Sequence, residues 1–120
     1  MTQYVPARGD IVFVDFEPIR GKEIGKRRPA LVLSTQTYNQ KSGLMICCPI
    51  STQIRGAELE VPVDNLDKPS VVCPNLVTTL DWKTRKAQLK AKASTQVADQ
   101  TLLKLLALLP VGETFDRLQS

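Results

Sequence analysis

Histidine is absent from this chain of 120 residues, which removes the commonest general base and the commonest zinc ligand together. Aromatic side chains are only 5% of the total, with one tryptophan, so any core must be built mainly from aliphatic residues. Cysteines number three, and two of them, Cys47 and Cys48, are adjacent within an apolar run. An odd count and that placement point to buried thiols rather than bridges. No hydrophobic run approaches the length that crosses a bilayer, and the N-terminal MTQYVPARGD has no apolar signal core. A cytoplasmic protein with no membrane partner is expected. Also missing are a Gly-rich phosphate loop, cysteine-pair zinc spacing, a paired-carboxylate metal site and a serine elbow. No metal and no cofactor is therefore expected, and a site must be assembled from Arg, Lys, Glu, Ser and Thr.

What is present suits one globular domain. Apolar residues make up 42% of 13.3 kDa, enough for a single core. The net charge of +4 is modest but unevenly spread. Arg20, Lys22, Lys26, Arg27 and Arg28 crowd one segment, with Glu23 as its only acid. Lys83, Arg85, Lys86, Lys90 and Lys92 crowd another that has none. These two segments hold ten of the sixteen positive charges. Adjoining in space they would form a phosphate-attracting surface; two separate solvated faces satisfy the same sequence.

Along the chain, Asp10 to Phe16 reads as a strand buried on both sides, and Pro29 to Ser34 as a second strand. Thr37-Tyr38-Asn39 permits a short turn of helix. Leu44 to Ile50 is continuously apolar and reads as a central strand. Glu58 to Val63 alternates, with Leu59, Val61 and Val63 inward and Pro62 outward, as in a half-buried edge strand. Ser70 to Cys73 and Leu76 to Leu80 are short strands, and Asp81 to Thr84 is a turn. Arg85 to Ala93 alternates again, with Ala87, Leu89, Ala91 and Ala93 inward and the lysines forming one outward stripe. A helix capped by Ser94 or Thr95 runs to about Leu109, where Pro110 and Gly112 end it. Its core-facing set is Ala98, Thr101, Leu102, Leu105, Leu108 and Leu109, and Leu103 and Leu106 widen the apolar stripe. Val111 to Ser120 reads as a frayed tail. This pattern predicts a mainly β fold, a small curled antiparallel sheet or open barrel of about seven short strands with a closing helix.

The stretch from Gly21 to Ser34 concentrates the functional signal. Pro29 bars Arg28 from the helical region, so Arg28 sits where a basic loop enters a rigid strand. The same pattern also suits a solvated basic loop beside an edge strand. RNA offers a reaction that fits the available residue types, because its own 2′-hydroxyl can attack the adjacent phosphate. The protein then aligns the attack, stabilises charge on the phosphorane oxygens and helps a proton move. Arginine suits that charge through its planar fork.

Tyr4-Val5-Pro6, Arg8-Gly9-Asp10, Asp15-Phe16 with Pro18, Gly21 and Glu23, and Arg28-Pro29-Ala30-Leu31-Val32-Leu33-Ser34 carry a resemblance. It continues through Tyr38-Asn39, Gly43, Pro49-Ile50-Ser51-Thr52-Gln53 and Leu80-Asp81-Trp82 with Arg85. In this ordered set the chain resembles the MazF/PemK family of toxin endoribonucleases. The resemblance implies an SH3-like or CcdB-like β-barrel domain over residues 1–110 with a C-terminal helix, followed by a tail over 111–120. It also implies a homodimer, a cognate antitoxin, and metal-independent cleavage of single-stranded RNA leaving a cyclic phosphate and a 5′-hydroxyl. An antitoxin covering basic surface should be acidic.

By the same resemblance the family's active-site arginine falls on Arg28, its loop glutamate on Glu23, and its threonine after the third long strand on Ser51, with Thr52 next. Glu23 either accepts the 2′-hydroxyl proton or anchors the loop by pairing with Lys26 or Arg28. RNA contacts are expected from Lys22, Lys26, Arg27, Gln53, Asn75, Lys83, Arg85 and Lys86. Two positions depart from relatives that place an arginine and an aspartate there as acid and base: this chain has Cys73 and Asn75. A non-catalytic module on the same fold is the alternative, either a binder of antitoxin and RNA or a gyrase poison like CcdB. Against the latter, Trp82 is internal and the chain ends Arg-Leu-Gln-Ser.

Overall fold

Alternating apolar residues in β1 (Asp10–Asp15) serve two cores at once. In the computed structural model, which describes residues 3–16 and 27–120, Ile11 enters one apolar cluster while Val12 and Val14 enter another, all fully buried. Successive side chains of a strand point to opposite faces, so this is the expected strand buried on both sides. β1 pairs antiparallel with β2 (Arg27–Val32), from Ile11 opposite Leu31 to Asp15 opposite Arg27. β2 pairs in turn with the central β3 (Leu44–Ser51). The strand order is β4 (Val61–Val63), β5 (Ser70–Val72), β3, β2, β1, β7 (Gln88–Lys92), and β6 (Thr78–Asp81) joins β3 off this path. All pairings are antiparallel, and the seven strands curl into the expected open barrel.

The edge of β3 facing away from β2 carries two partners. Leu44 to Cys47 pair with β6, whereas Ile50 and Ser51 pair with β5. The change of partner falls at Cys48-Pro49. Pro49 accepts the Cys73 amide at 3.0 Å. An extended residue directs its amide and carbonyl to the same edge, so the donor that proline lacks is missing where the ladder breaks. Pro74–Leu76 fills the gap as one 3-10 turn, which is why Leu76 and Val77 are not strand as expected.

One face of the sheet is covered by α2 (Thr95–Ala107), capped by the Ser94 hydroxyl accepting from the Val97 amide at 3.2 Å. Ala98 and Thr101 are buried, and Val97 and Leu105 pack on the cluster of Ile11, Leu31, Cys48 and Ile50. Leu108 and Leu109, expected in the core, are half exposed because α2 ends at Ala107 and the chain turns away. The expected tail is instead a third helix, α3 (Val111–Gln119). Pro110 closes one helix and opens the next, since a helix start needs no amide there. No residue of α3 is buried, and Val111, Phe115 and Leu118 line one side at helical spacing.

Two strand expectations are also corrected. A bulge in β7 falls between the pairs Ile11–Ala91 and Val12–Leu89. It resets the alternation, and Leu89, expected inward, is 46% exposed. β7 begins only at Gln88, so Lys83 to Lys86 lie in the preceding turn and the basic residues form no single stripe. β4 is the predicted edge strand with Pro62 outward but starts at Val61. Glu58 to Glu60 belong to a turn instead.

The opposite face is closed by the N-terminal segment and α1 (Gln36–Ser42), a full helix where only a turn was expected. Thr35 caps it and Gly43 ends it at φ +74°, a conformation glycine adopts without strain. Asn39 is fully buried and joins three parts of the chain. Its amide nitrogen donates to the Pro6 carbonyl at 2.8 Å and to that of Ser34 at 3.3 Å, its side-chain oxygen accepts from the Ser34 hydroxyl, and its carbonyl accepts the Trp82 indole at 2.8 Å. Replacing Asn39 by Ala strands several buried polar groups, so Asn39→Ala is expected to lower stability by ~2–3 kcal/mol. Trp82→Phe removes the indole donor together with part of a buried ring, and the hydrogen-bond share of its loss is about 1 kcal/mol. Urea melts of both variants test this; an Asn39→Ala midpoint equal to that of the parent refutes it.

Candidate active site

Register brings the sequence-distant site residues together. Ala30 of β2 lies opposite Pro49 of β3, and continuing that antiparallel register by two residues places Arg28 opposite Ser51. Pro49 also faces Cys73 through the β3–β5 pairing, one step beyond Ile50 opposite Val72. Period-two alternation puts Arg28, Pro49, Ser51 and Cys73 on one face. They open onto a cavity of about 500 Å³.

Phe16, Pro49, Ile50, Leu59 and Leu76 give this cavity an apolar part, and polar and charged residues line the rest. Arg28 is an exposed cation on the β2 side. Ser51 is half-buried, and its hydroxyl oxygen accepts the Gln53 amide at 3.0 Å. One lone pair is thereby occupied, which leaves the O–H able to donate into the cavity. Gln53 and Asn75 add carboxamides. Together these groups can hold an anion and hydrogen-bond the heteroatoms of a base.

Thr52 is exposed and is not among the lining residues. Arg27 is committed elsewhere: it pairs with the Asp15 carboxylate at 3.1 Å and donates to the carbonyls of Phe13 and Lys86. Arg85 donates to the carbonyls of Asp15 and Phe16, both at 2.9 Å. It thereby fastens the backbone of a cavity-wall residue rather than facing the cavity. Lys83 stands over the Trp82 ring, 5.4 Å from its centroid. Lys86 takes a left-handed φ of 55° in the turn. Lys22, Glu23 and Lys26 lie outside the described residues.

Two charged lining residues escaped the sequence reading, Arg55 and Glu60. Glu60 looked like a solvent-facing position of an alternating strand, and only the turn before β4 shows otherwise. Cys73 also lines the cavity. Burial pushes its thiol pKa up, as does the Glu60 charge, while Arg55 opposes them. A neutral thiol cannot stand in for a guanidinium. Cys47 and Cys48 are buried, as expected, and burial pushes both thiols up to about 12.

Comparison with known proteins bears on the family and the fold. Residues 7–109 match the model of the PemK-like, MazF-like toxins of type II toxin–antitoxin systems. The endoribonuclease toxin MazF of Escherichia coli K12 is 38% identical over 90 residues, 75% of this chain and 81% of the relative. The crystal structure of MazF from Deinococcus radiodurans superposes with a TM-score of 0.80 at 40% identity, covering 89% of this chain and 98% of that one. A MazE–MazF crystal structure from the same organism superposes at 0.78 with 37% identity, covering 89% and 97%. Sequence, sheet order and these matches agree: the chain belongs to the PemK-like, MazF-like toxin family.

Proposed function

We propose that the protein is a toxin endoribonuclease that cuts single-stranded RNA without a metal and is silenced by an acidic antitoxin. The observation that carries this reading is the convergence of the Arg28 guanidinium and the Ser51 hydroxyl from neighbouring strands onto one cavity. The substrate's 2′-oxygen attacks the adjacent phosphorus, the bond to the 5′-oxygen breaks, and the products are a cyclic phosphate and a 5′-hydroxyl. One proton leaves the 2′-hydroxyl and one reaches the departing 5′-oxygen. Arg28 binds the non-bridging oxygens and stabilises the charge that grows on them. Ser51 donates a further hydrogen bond, and Gln53 and Asn75 hold flanking nucleotide. Glu23 takes the 2′ proton, the role left to a carboxylate where histidine is absent; its competing role is to anchor the loop, and Glu23→Gln separates the two. An amide keeps most anchoring contacts but accepts no proton.

Arg28→Lys keeps charge but loses the fork. It is expected to slow cleavage on the order of 10²-fold or more, the scale of one transition-state donor. Ser51→Ala should cost less, and Ser51→Thr should be nearly neutral. Cleavage of a defined RNA measured for each variant checks the order; a folded Arg28→Ala that cuts as fast as the parent places the site elsewhere.

Cleavage should persist in EDTA and vanish when the 2′-hydroxyl at the cut position is replaced by hydrogen. Mapping new ends on a long RNA under both conditions tests the chemistry, and binding without any cut would assign the non-catalytic alternative.

The same reading includes a symmetric dimer, which would cover the exposed leucines of α2 and the apolar side of α3. Light scattering at micromolar concentration should give twice the chain mass, and a monomer removes this part. Inhibition by the cognate antitoxin should weaken with salt and compete with RNA.

A further inference from the structure

The turn between β3 and β4 is built around a carboxylate. Glu60 Oε1 accepts from three consecutive backbone amides, Arg55 at 3.2 Å, Gly56 at 2.9 Å and Ala57 at 3.2 Å, and Oε2 takes a second contact from Arg55 at 3.2 Å. Three successive amides aim at one point only when the chain bends sharply, and Gly56 supplies the bend at φ +74°. The Glu60 amide returns a bond to the Ala57 carbonyl at 3.1 Å. From the helix side, Lys104 of α2 donates to the carbonyls of Glu58 and Glu60. The turn is therefore held at both ends, although most of it is exposed.

This construction sets the place of Arg55. Its amide is gripped by Glu60, and the residue lines the same cavity as Arg28 and Ser51. Arg28 enters from β2 and Arg55 from the turn beyond β3, so among the described residues two lining cations stand on separate supports. A lone carboxylate there would repel an RNA strand. Three backbone amides converge on the Glu60 carboxylate and offset part of its negative charge. The opposing effects of Glu60 and Arg55 on the Cys73 thiol agree with both charges standing beside it.

We propose that Glu60 is a positioning residue for substrate binding: by gathering the Arg55, Gly56 and Ala57 amides it holds Arg55 where its guanidinium grips a second phosphate of the bound strand. This rests on the RNA-cleaving reading of the cavity and adds to it a phosphate contact separate from the one at Arg28. Because Arg55 acts on a flanking phosphate, its loss weakens binding more than chemistry.

The full chain carrying Glu60→Ala, Glu60→Gln, Arg55→Gln, Gly56→Ala or the Glu60→Ala/Arg55→Gln pair tests this. Cleavage of a short RNA gives kcat and KM, and binding of the same oligonucleotide with a 2′-deoxy cut site is titrated at several salt concentrations. Glu60→Ala and Arg55→Gln should each raise KM and Kd about tenfold, the value of one charged hydrogen bond, with kcat changed far less. Each should also lower the salt slope by about 0.7, the share of one single-strand phosphate. The double variant should be no worse than either single one, and Glu60→Gln, which keeps an acceptor oxygen, should recover most binding. Gly56 has open space around it, so Gly56→Ala strains the turn without a clash and reads the same effect should Glu60→Ala not fold. An unchanged salt slope, additive losses in the pair, or a fall in kcat alone overturns the proposal. A parent that binds but does not cut leaves the binding arm readable and refutes only the cleavage reading, whereas a parent that does neither refutes both.

Discussion

Along one edge of β3 the backbone has to satisfy two different strands, and the rest of the fold follows from how it does so. Through Cys47 it pairs with β6, and from Ile50 onward with β5. Between them stands Pro49, whose ring leaves no donor at the crossover and whose carbonyl is taken by Cys73. The sheet consequently curls rather than extending flat, with β4 and β5 folding over on one side. Because the break lies beside Ser51, Cys73 and Asn75, the cavity sits where the ladder is interrupted. Residues freed from regular pairing there can face a ligand, while β1, β2 and β3 behind them stay rigid.

Charge in this protein is managed by the backbone as much as by opposite charges. Glu60 is surrounded by amides, Arg85 by the carbonyls of Asp15 and Phe16, and Arg27 divides itself between the Asp15 carboxylate and two carbonyls. Charged hydrogen bonds of this kind are stronger than neutral ones. They fix loops that have few apolar contacts of their own. A basic segment can therefore hold an arginine tied to the backbone beside one that lines the cavity, as Arg27 and Arg28 do. The register decides between them: Arg27 lies opposite Asp15, Arg28 opposite Val14.

The helices divide the apolar surface unequally. α2 buries Ala98 and Thr101 against the sheet and leaves Leu103 at 65% exposure. α3 continues beyond the segment that matches the family model, which ends at residue 109. Its apolar side adds Phe115 and Leu118 to the exposed leucines, which concentrates exposed apolar surface on the two C-terminal helices.

Periodicity in the sequence determined the strand-rich class, the buried centre of the sheet, the edge position of β4 and a cap for α2 at Ser94 or Thr95. Each depends on local alternation or capping that is written in consecutive residues. The residue order also drew attention to Arg28, because an arginine between a basic loop and a proline is a local feature, whereas Ser51 was singled out only by the family resemblance. What only the tertiary structure decided is which charges share a surface. The bulge in β7 resets an alternation that looked regular, Pro110 starts a second helix as well as following the end of the first, and Arg27 and Arg85 are bound to backbone carbonyls. Above all, the Arg55–Glu60 turn is placed by hydrogen bonds to backbone amides. Those amides are present in every sequence, and their direction is set only when the chain has folded.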